Sequence, residues 1–205
     1  MSAGWSVVVP LKPPAVGKSR LRLPGVDHVA LARAIALDTV AAAHATPSVV
    51  ELLVVSADPT WSLPDGVRLV PEDAPTSIAD AVALGVAEAR PGTHRAVLLG
   101  DLPGLDPADL DSALRAAEAF DRSGVPDHEG TGTTLVACRA GVAVESHFGP
   151  GSWAAHERAG YRRLDVARSS TLRRDVDEGA HLAGRLGPRT TAVARRAPTD
   201  LRLLG

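Results

Sequence analysis

At 205 residues, 45% hydrophobic and 22% charged, the chain is long enough to bury a sizeable core and is expected to form one unit over residues 1–205. A net charge of −2 and a sequence pI of about 6.4 provide no overall basic field, which argues against nucleic acid or an anionic membrane as partner. A single cysteine, Cys138, excludes an internal disulfide and a cysteine-rich zinc site, and no apolar run is long enough to span a bilayer, so a reducing, cytoplasmic setting is expected.

The elements alternate along the chain. Residues 5–11 read as a buried first strand, with Val7, Val8 and Val9 consecutive, followed by a polar loop over residues 12–24. Asp27 is placed to cap a helix running to about Ala45, and Pro47 stops it. Residues 49–56 and 67–70 read as the next two strands, and Thr76 or Ser77 caps a helix reaching about Ala89. Residues 96–99 form another apolar run that ends in Gly100-Asp101, and Pro107 opens a helix through Phe120. Such alternation predicts an α/β fold: a mainly parallel sheet with helices on both faces, whose strands are apolar throughout because neither face meets water.

The later half is less regular. It predicts short strands at residues 124–126, 133–138 and 172–176, a helix starting at about Ser152 and a helical segment over residues 178–186, with a mixed sheet edge. Residues 195–205, rich in arginine, read as a tail or final turn.

In an open parallel sheet, ligands collect at the carboxyl ends of the strands. The loop after the first strand carries Lys12, Lys18 and Arg20, and Lys12 and Lys18 are the only lysines in the chain. Two ammonium groups and a guanidinium beside a strand end suit a triphosphate, although a solvated basic loop would look the same. Gly17-Lys18-Ser19 is not a P-loop, because Lys12 stands where that motif needs its first glycine.

Carboxylates form the second theme. Asp101 follows an apolar strand directly, and Gly100 before it permits close approach of a ligand or of backbone. In extended chain, residues two apart face the same way, so Asp175 and Asp177 can point at one ligand while Val176 packs behind them. Magnesium takes one or two carboxylates together with phosphate oxygens and water, and Asp101 adds a third. Turn-capping or solvated aspartates remain the alternative.

Two glycine-rich segments complete the set. Gly130-Thr131-Gly132-Thr133-Thr134 is able to present successive backbone N–H groups to an anion, and Gly149-Pro150-Gly151-Ser152 leads into a helix whose expected cap is Ser152. His156 lies one turn further on, facing either the same ligand or the interior. The other histidines show no metal-like spacing, and no serine–histidine–aspartate set stands out, so zinc chemistry and acyl transfer fit poorly.

Taken in order, the segments Val9-Pro10-Leu11-Lys12 through Lys18-Ser19-Arg20-Leu21, Gly100-Asp101-Leu102-Pro103, residues 130–134, Phe148 to Ser152 with His156, and Asp175-Val176-Asp177 resemble the phosphoenolpyruvate or 2-phospho-L-lactate guanylyltransferases of coenzyme F420 biosynthesis, over nearly the whole chain. The resemblance implies a Rossmann-like nucleotidyltransferase fold, a three-layer sandwich similar to glycosyltransferase A with a mixed, mainly parallel sheet. It implies Mg2+ on Asp101, Asp175 and Asp177, phosphoenolpyruvate on Thr134, Gly149 and Ser152, and the GTP phosphates on Lys12, Lys18 and Arg20, with Lys18 and Asp101 as the catalytic pair. Where the family has a Gly-Leu-Asn segment before a helix, this chain has Ser77-Ile78-Ala79.

The activity expected from the resemblance condenses GTP with phosphoenolpyruvate to give enolpyruvoyl-2-diphospho-5'-guanosine and pyrophosphate. The alternatives are 2-phospho-L-lactate or 3-phosphoglycerate as acceptor, a pterin-cofactor nucleotidyltransferase, or a nucleotide-binding module without turnover. A homodimer and a transient hand-over of product to the next transferase of the pathway are both compatible with these features.

Overall fold

A computed structural model describes residues 3–14, 21, 24–74 and 77–196. Its centre is a seven-stranded sheet in the order β3-β2-β1-β4-β6-β5-β7. The strands are β1 (Trp5–Pro10), β2 (Val49–Ser56), β3 (Arg68–Pro71), β4 (His94–Leu98), β5 (Arg122–Pro126), β6 (Thr133–Cys138) and β7 (Arg162–Arg163). β1 pairs in parallel with β2 and β4, and β2 with β3, while β6 runs antiparallel to both β4 and β5. The mixed edge expected from the irregular later half is this reversal at β6.

The continuous apolar runs follow from burial on two faces. Val7, Val9, Leu52, Val54, Ala96, Leu98, Leu135 and Ala137 point to one side, where they meet α1 (His28–His44) and α3 (Pro107–Ala117). Val8, Leu53, Val55, Val97, Val136 and Cys138 point to the other, against α2 (Ile78–Glu88) and Tyr161. Residues two apart share a face, so both layers are apolar and no polar alternation survives in the sequence.

The helix boundaries obey local chemistry. The Asp27 carboxylate accepts from the N–H groups of Val29 and Ala30 at the start of α1, and Ser77 Oγ accepts from Asp80 N–H at the start of α2. Asp106 caps α3 with Pro107 in its first turn.

Two expectations need correction. Residues 172–176 form no strand: Thr171–Arg173 is a short 3-10 helix, started where Asp109 Oδ2 accepts from the Thr171 N–H and hydroxyl, and the residues after it join no ladder of the sheet. The segment over residues 178–186 is only a 3-10 turn, Gly179–Leu182. A further helix, α5 (Pro188–Ala194), precedes the arginine-rich end and is not among the elements expected from sequence. That helix is held from afar: the buried Asp38 carboxylate of α1 accepts from the N–H groups of Arg189 and Thr190 at 3.2 and 2.8 Å.

The topology also fixes where a ligand belongs. From β1 the chain steps outward to β2 and β3, then α2 carries it back so that β4 lies on the opposite side of β1. The strand order therefore reverses between β1 and β4, and the crevice at their carboxyl ends is the natural binding site in such sheets. Because β6 is antiparallel, its first residues, Thr133 and Thr134, lie at this same end, with Leu99 N–H donating to Thr134 O at 3.0 Å.

Candidate active site

Leu11 and the exposed Lys12 leave β1 at the crevice, and Leu11 fills the space beside Gly100, where an added Cβ would stand 2.2 Å from Leu11 Cδ2. Gly100 thus admits a neighbouring side chain. Lys18 and Arg20, the other predicted phosphate contacts, lie outside the described residues.

Asp101 is fixed from two sides. Leu102 N–H donates to the buried Thr39 Oγ1 of α1 at 3.0 Å, and Val176 N–H donates to Asp101 O at 3.0 Å. The second bond draws the distant segment Asp175-Val176-Asp177 alongside the exit of β4. Val176, 2% exposed, is sunk among Leu21, Leu31 and Ile35, a burial that contributes about 1.5–3 kcal/mol. With Val176 pinned inward, Asp175 and Asp177 emerge on the other side, as expected for extended chain even though no strand forms.

The result is a cluster in which carboxylate oxygens of Asp101, Asp175 and Asp177 all lie within 4.8 Å of one another. Burial, and then the charges of Asp101, Asp177 and Asp127, push the Asp175 carboxyl up to about 6. Three carboxylates crowded in a partly buried crevice repel one another, and the donor set, all oxygen and all anionic, is that of a hard divalent cation. These residues fit such an ion.

Two histidines stand beside the cluster, and their sequence spacing gave no sign of it. His128 Nδ1 is 3.5 Å from Asp175 Oδ1, and Asp177 N–H donates to His181 Nδ1 at 3.2 Å, so His181 carries any single proton on Nε2. The offset from Asp177 to His181 is a local signal that sequence can offer. The approach of His128 comes from folding alone.

The residues expected to meet the acceptor gather around β6. Thr134 Oγ1 is buried and donates to Val125 O at 3.3 Å. Ser152 Oγ donates to Thr133 Oγ1 at 3.1 Å, and Thr133 Oγ1 lies 3.0 Å from His156 Nδ1. Ser152 is not the cap of α4 (Ser152–Arg158) but its first residue; the cap position is Gly151, at φ 66°, because the tight turn here needs a left-handed residue. Gly149, at φ 146°, accepts at its carbonyl from Ser152 N–H.

His156 is fully buried. Its Nε2 accepts from His147 N–H at 3.0 Å, so Nδ1 carries the proton and donates to Thr133. Burial, with the His147 charge adding to it, pushes its pKa down to about 4, and the ring stays neutral. It supports Ser152 through Thr133 from behind.

The glycine loop departs from expectation. Its successive N–H groups do converge on an anion, but the anion is Asp127: Gly130 and Thr131 N–H donate to Oδ1 at 2.6 and 3.0 Å, and Gly132 N–H to Oδ2 at 2.8 Å. An aspartate three residues before the first glycine is the sequence signal that was passed over.

The Rossmann-like mixed sheet is shared with solved structures, one of them a nucleotidyl transferase. A homolog of Mycobacterium tuberculosis Rv0371c from Mycobacterium sp. strain JC1 superposes with a TM-score of 0.62 at 20% identity, covering 95% of this chain and 99% of that one. A nucleotidyl transferase from Methanothermobacter does so at 0.57 and 20% identity, covering 98% and 99%. Rv0371c of Mycobacterium tuberculosis, in complex with manganese, gives 0.55 at 21% identity, covering 80% and 88%. No family model matches the chain.

Sequence relatives are closer. The chain is 43% identical to a phosphoenolpyruvate guanylyltransferase of Thermomonospora curvata, over 95% of this chain and 90% of the relative. It is 43% identical to one of Salinispora arenicola, over 97% and 98%, and 42% identical to one of Streptomyces scabiei, over 94% and 96%. The chain belongs to the phosphoenolpyruvate guanylyltransferase family.

Proposed function

We propose that this protein transfers the GMP part of GTP to the phosphate of phosphoenolpyruvate, with Mg2+ held by Asp101, Asp175 and Asp177. The observation that carries the reading is the carboxylate cluster at the β1/β4 switch point, where Asp175 is raised to about 6 by burial and then by its anionic neighbours. In the reaction, a phosphate oxygen of the acceptor bonds to the α-phosphorus of GTP, the bond from that phosphorus to the bridging oxygen breaks, and pyrophosphate leaves. A phosphate is already an anion at neutral pH, so no strong general base is needed, and positioning with charge neutralisation is the protein's task. The divalent ion supplies charge neutralisation to the phosphates when bound.

The chain's own residues do the rest. Lys12, with Lys18 and Arg20, neutralises the triphosphate and the departing pyrophosphate, Lys18 acting with Asp101 as the catalytic pair. Thr134, Gly149 and Ser152 form the wall that receives phosphoenolpyruvate, and the Ser152 hydroxyl turns from Thr133 Oγ1 to the ligand. Among the described residues no helix is long and apolar enough to cross a membrane; the reading places the enzyme in the cytoplasm because its substrates are small, charged and water-soluble. A homodimer and hand-over of the product to the next transferase remain part of this reading.

The test is incubation with GTP, Mg2+ and, separately, phosphoenolpyruvate, 2-phospho-L-lactate and 3-phosphoglycerate, with mass detection of the guanylylated product. Phosphoenolpyruvate is expected to give product and pyrophosphate in equal amounts, and Asp101→Asn to lower kcat by about 100-fold or more with the fold intact. Full Mg2+-dependent turnover by Asp101→Asn refutes the metal assignment, and preference for another acceptor refutes the substrate.

A further inference from the structure

The self-filled loop and one buried arginine lead beyond the assigned site residues. Arg173 is 6% exposed, and its guanidinium is spent on backbone carbonyls: Nε donates to Pro126 O and Asp127 O, both at 3.2 Å, and Nη2 to Asp127 O at 2.8 Å. Burial disfavours its charge, Arg163 and Arg168 add to this, and Asp127 favours it. A guanidinium buried against neutral carbonyls is costly unless its hydrogen bonds are well made, and a hairpin turn needs no such group to close. Its position explains what it joins.

Arg173 stands two residues before Asp175, in a 3-10 turn anchored to α3 through Thr171, whose N–H and hydroxyl both donate to Asp109 Oδ2. At its other end Arg173 grips the backbone of Asp127, whose carboxylate gathers Gly130, Thr131 and Gly132. Thr131 O in turn accepts from Trp153 N–H at 3.1 Å, in the first turn of α4 beside Ser152. One unbroken path of hydrogen bonds therefore runs from the segment bearing Asp175 and Asp177, through Arg173 and Asp127, to the wall bearing Ser152. There is no slack at its centre: a Cβ on Gly132 would stand 2.3 Å from Asp127 Oδ2.

We propose that Asp127, clamped by Arg173, is a positioning residue for guanylyl transfer, setting the acceptor wall and the metal-holding segment in one register. The inference rests on the assignment of Ser152 and its neighbours to the acceptor. Asp127 touches no reacting atom; it acts through the loop it fills. A residue of this kind alters how one substrate is held, whereas a purely structural residue alters only how much folded enzyme there is.

The experiment compares Asp127→Asn, Arg173→Met, their combination and Gly132→Ala by steady-state kinetics in each substrate, alongside hydrogen exchange of the amides at residues 130–132. Asparagine sets a donor against a donor at one of the three amides, so Asp127→Asn is expected to raise the acceptor KM about tenfold and change the GTP KM by less than about twofold. Arg173→Met and Gly132→Ala should show the same split, the double variant should exceed the larger single effect by little, and the three amides should exchange faster in each. Equal rises in both KM values, a fall in kcat with both KM values fixed, or fully additive losses would overturn the proposal. Should the unaltered chain fail to transfer GMP, the substrate assignment falls. The brace is then judged separately by exchange, and unchanged protection of residues 130–132 in Arg173→Met refutes it.

Discussion

Replacing Asp175 by asparagine should stabilise the metal-free protein, although it removes a proposed metal ligand. Its side chain is 14% exposed and its carboxyl is pushed up to about 6 by burial and by Asp101, Asp177 and Asp127. Between about pH 4 and 6 the native state holds this proton and the unfolded chain does not, so the contribution of Asp175 to stability falls as pH rises through that window. At neutral pH the difference from an ordinary aspartate corresponds to at most about 3 kcal/mol, and about 2 kcal/mol after allowing for residual solvent, which is about 5 °C in Tm for a chain of this size. The assay is calorimetry of both proteins in chelator from pH 4.5 to 7.5. Their Tm values should coincide at the acid end and diverge upward, Asp175→Asn leading. Every other group is common to both, so the difference isolates Asp175. Excess Mg2+ should then reverse the order at pH 7.5, because the unaltered protein alone keeps the full ligand set. A variant less stable than the unaltered protein in chelator at pH 7.5, or a gap independent of pH, refutes the reasoning.

Two further substitutions probe the supports of the site. His156→Phe leaves His147 N–H without its acceptor and Thr133 with Ser152 as its remaining donor inside the protein, and should cost about 2–4 kcal/mol by denaturant titration. Because the folded His156 pKa is lowered to about 4, its contribution is full above about pH 6.5 and is lost as pH falls towards 4, and the variant should lose that part of the acid sensitivity. Asp38→Ala removes the carboxylate that holds the start of α5, with an expected loss of about 1–2 kcal/mol and faster proteolysis at residues 184–187.

The parts of the fold that sequence disclosed are those governed by local or two-faced burial. Val49–Ser56 and Thr133–Cys138 are legible as strands because, Glu51 and Ser56 apart, their residues are apolar or β-branched, and Asp27 marks its helix because its carboxylate reaches N–H groups two and three residues on. α5 was hidden because its anchor is Asp38, far away in the chain, and nothing in its own seven residues requires a helix. The 172–176 segment meets the chain beyond β4 through Val176 N–H and Asp101 O but joins no ladder, which only the completed sheet reveals. Asp101, Asp175 and Asp177 were readable as carboxylates at chain exits, and their convergence depends on Val176 being buried against α1. Asp127 and Arg173 were missed for opposite reasons: the first is a local turn whose glycines drew attention to a ligand, and the second meets its partner only in three dimensions.

The reversal of β6 has a consequence for how such an enzyme can diversify. In the proposed reading, nucleotide and metal are served by the connections after β1 and β4 with the Asp175–Asp177 segment, whereas the acceptor is met by Thr134 near the start of β6 and by Gly149 and Ser152 at the start of α4. The two substrates are thus assigned to loops with no residues in common, joined chiefly at Leu99 and Thr134 in the sheet and at Arg173 outside it. Loops on the acceptor side are free to change length and chemistry while the phosphate-handling end keeps its geometry, so exchange of one substrate need not disturb the other.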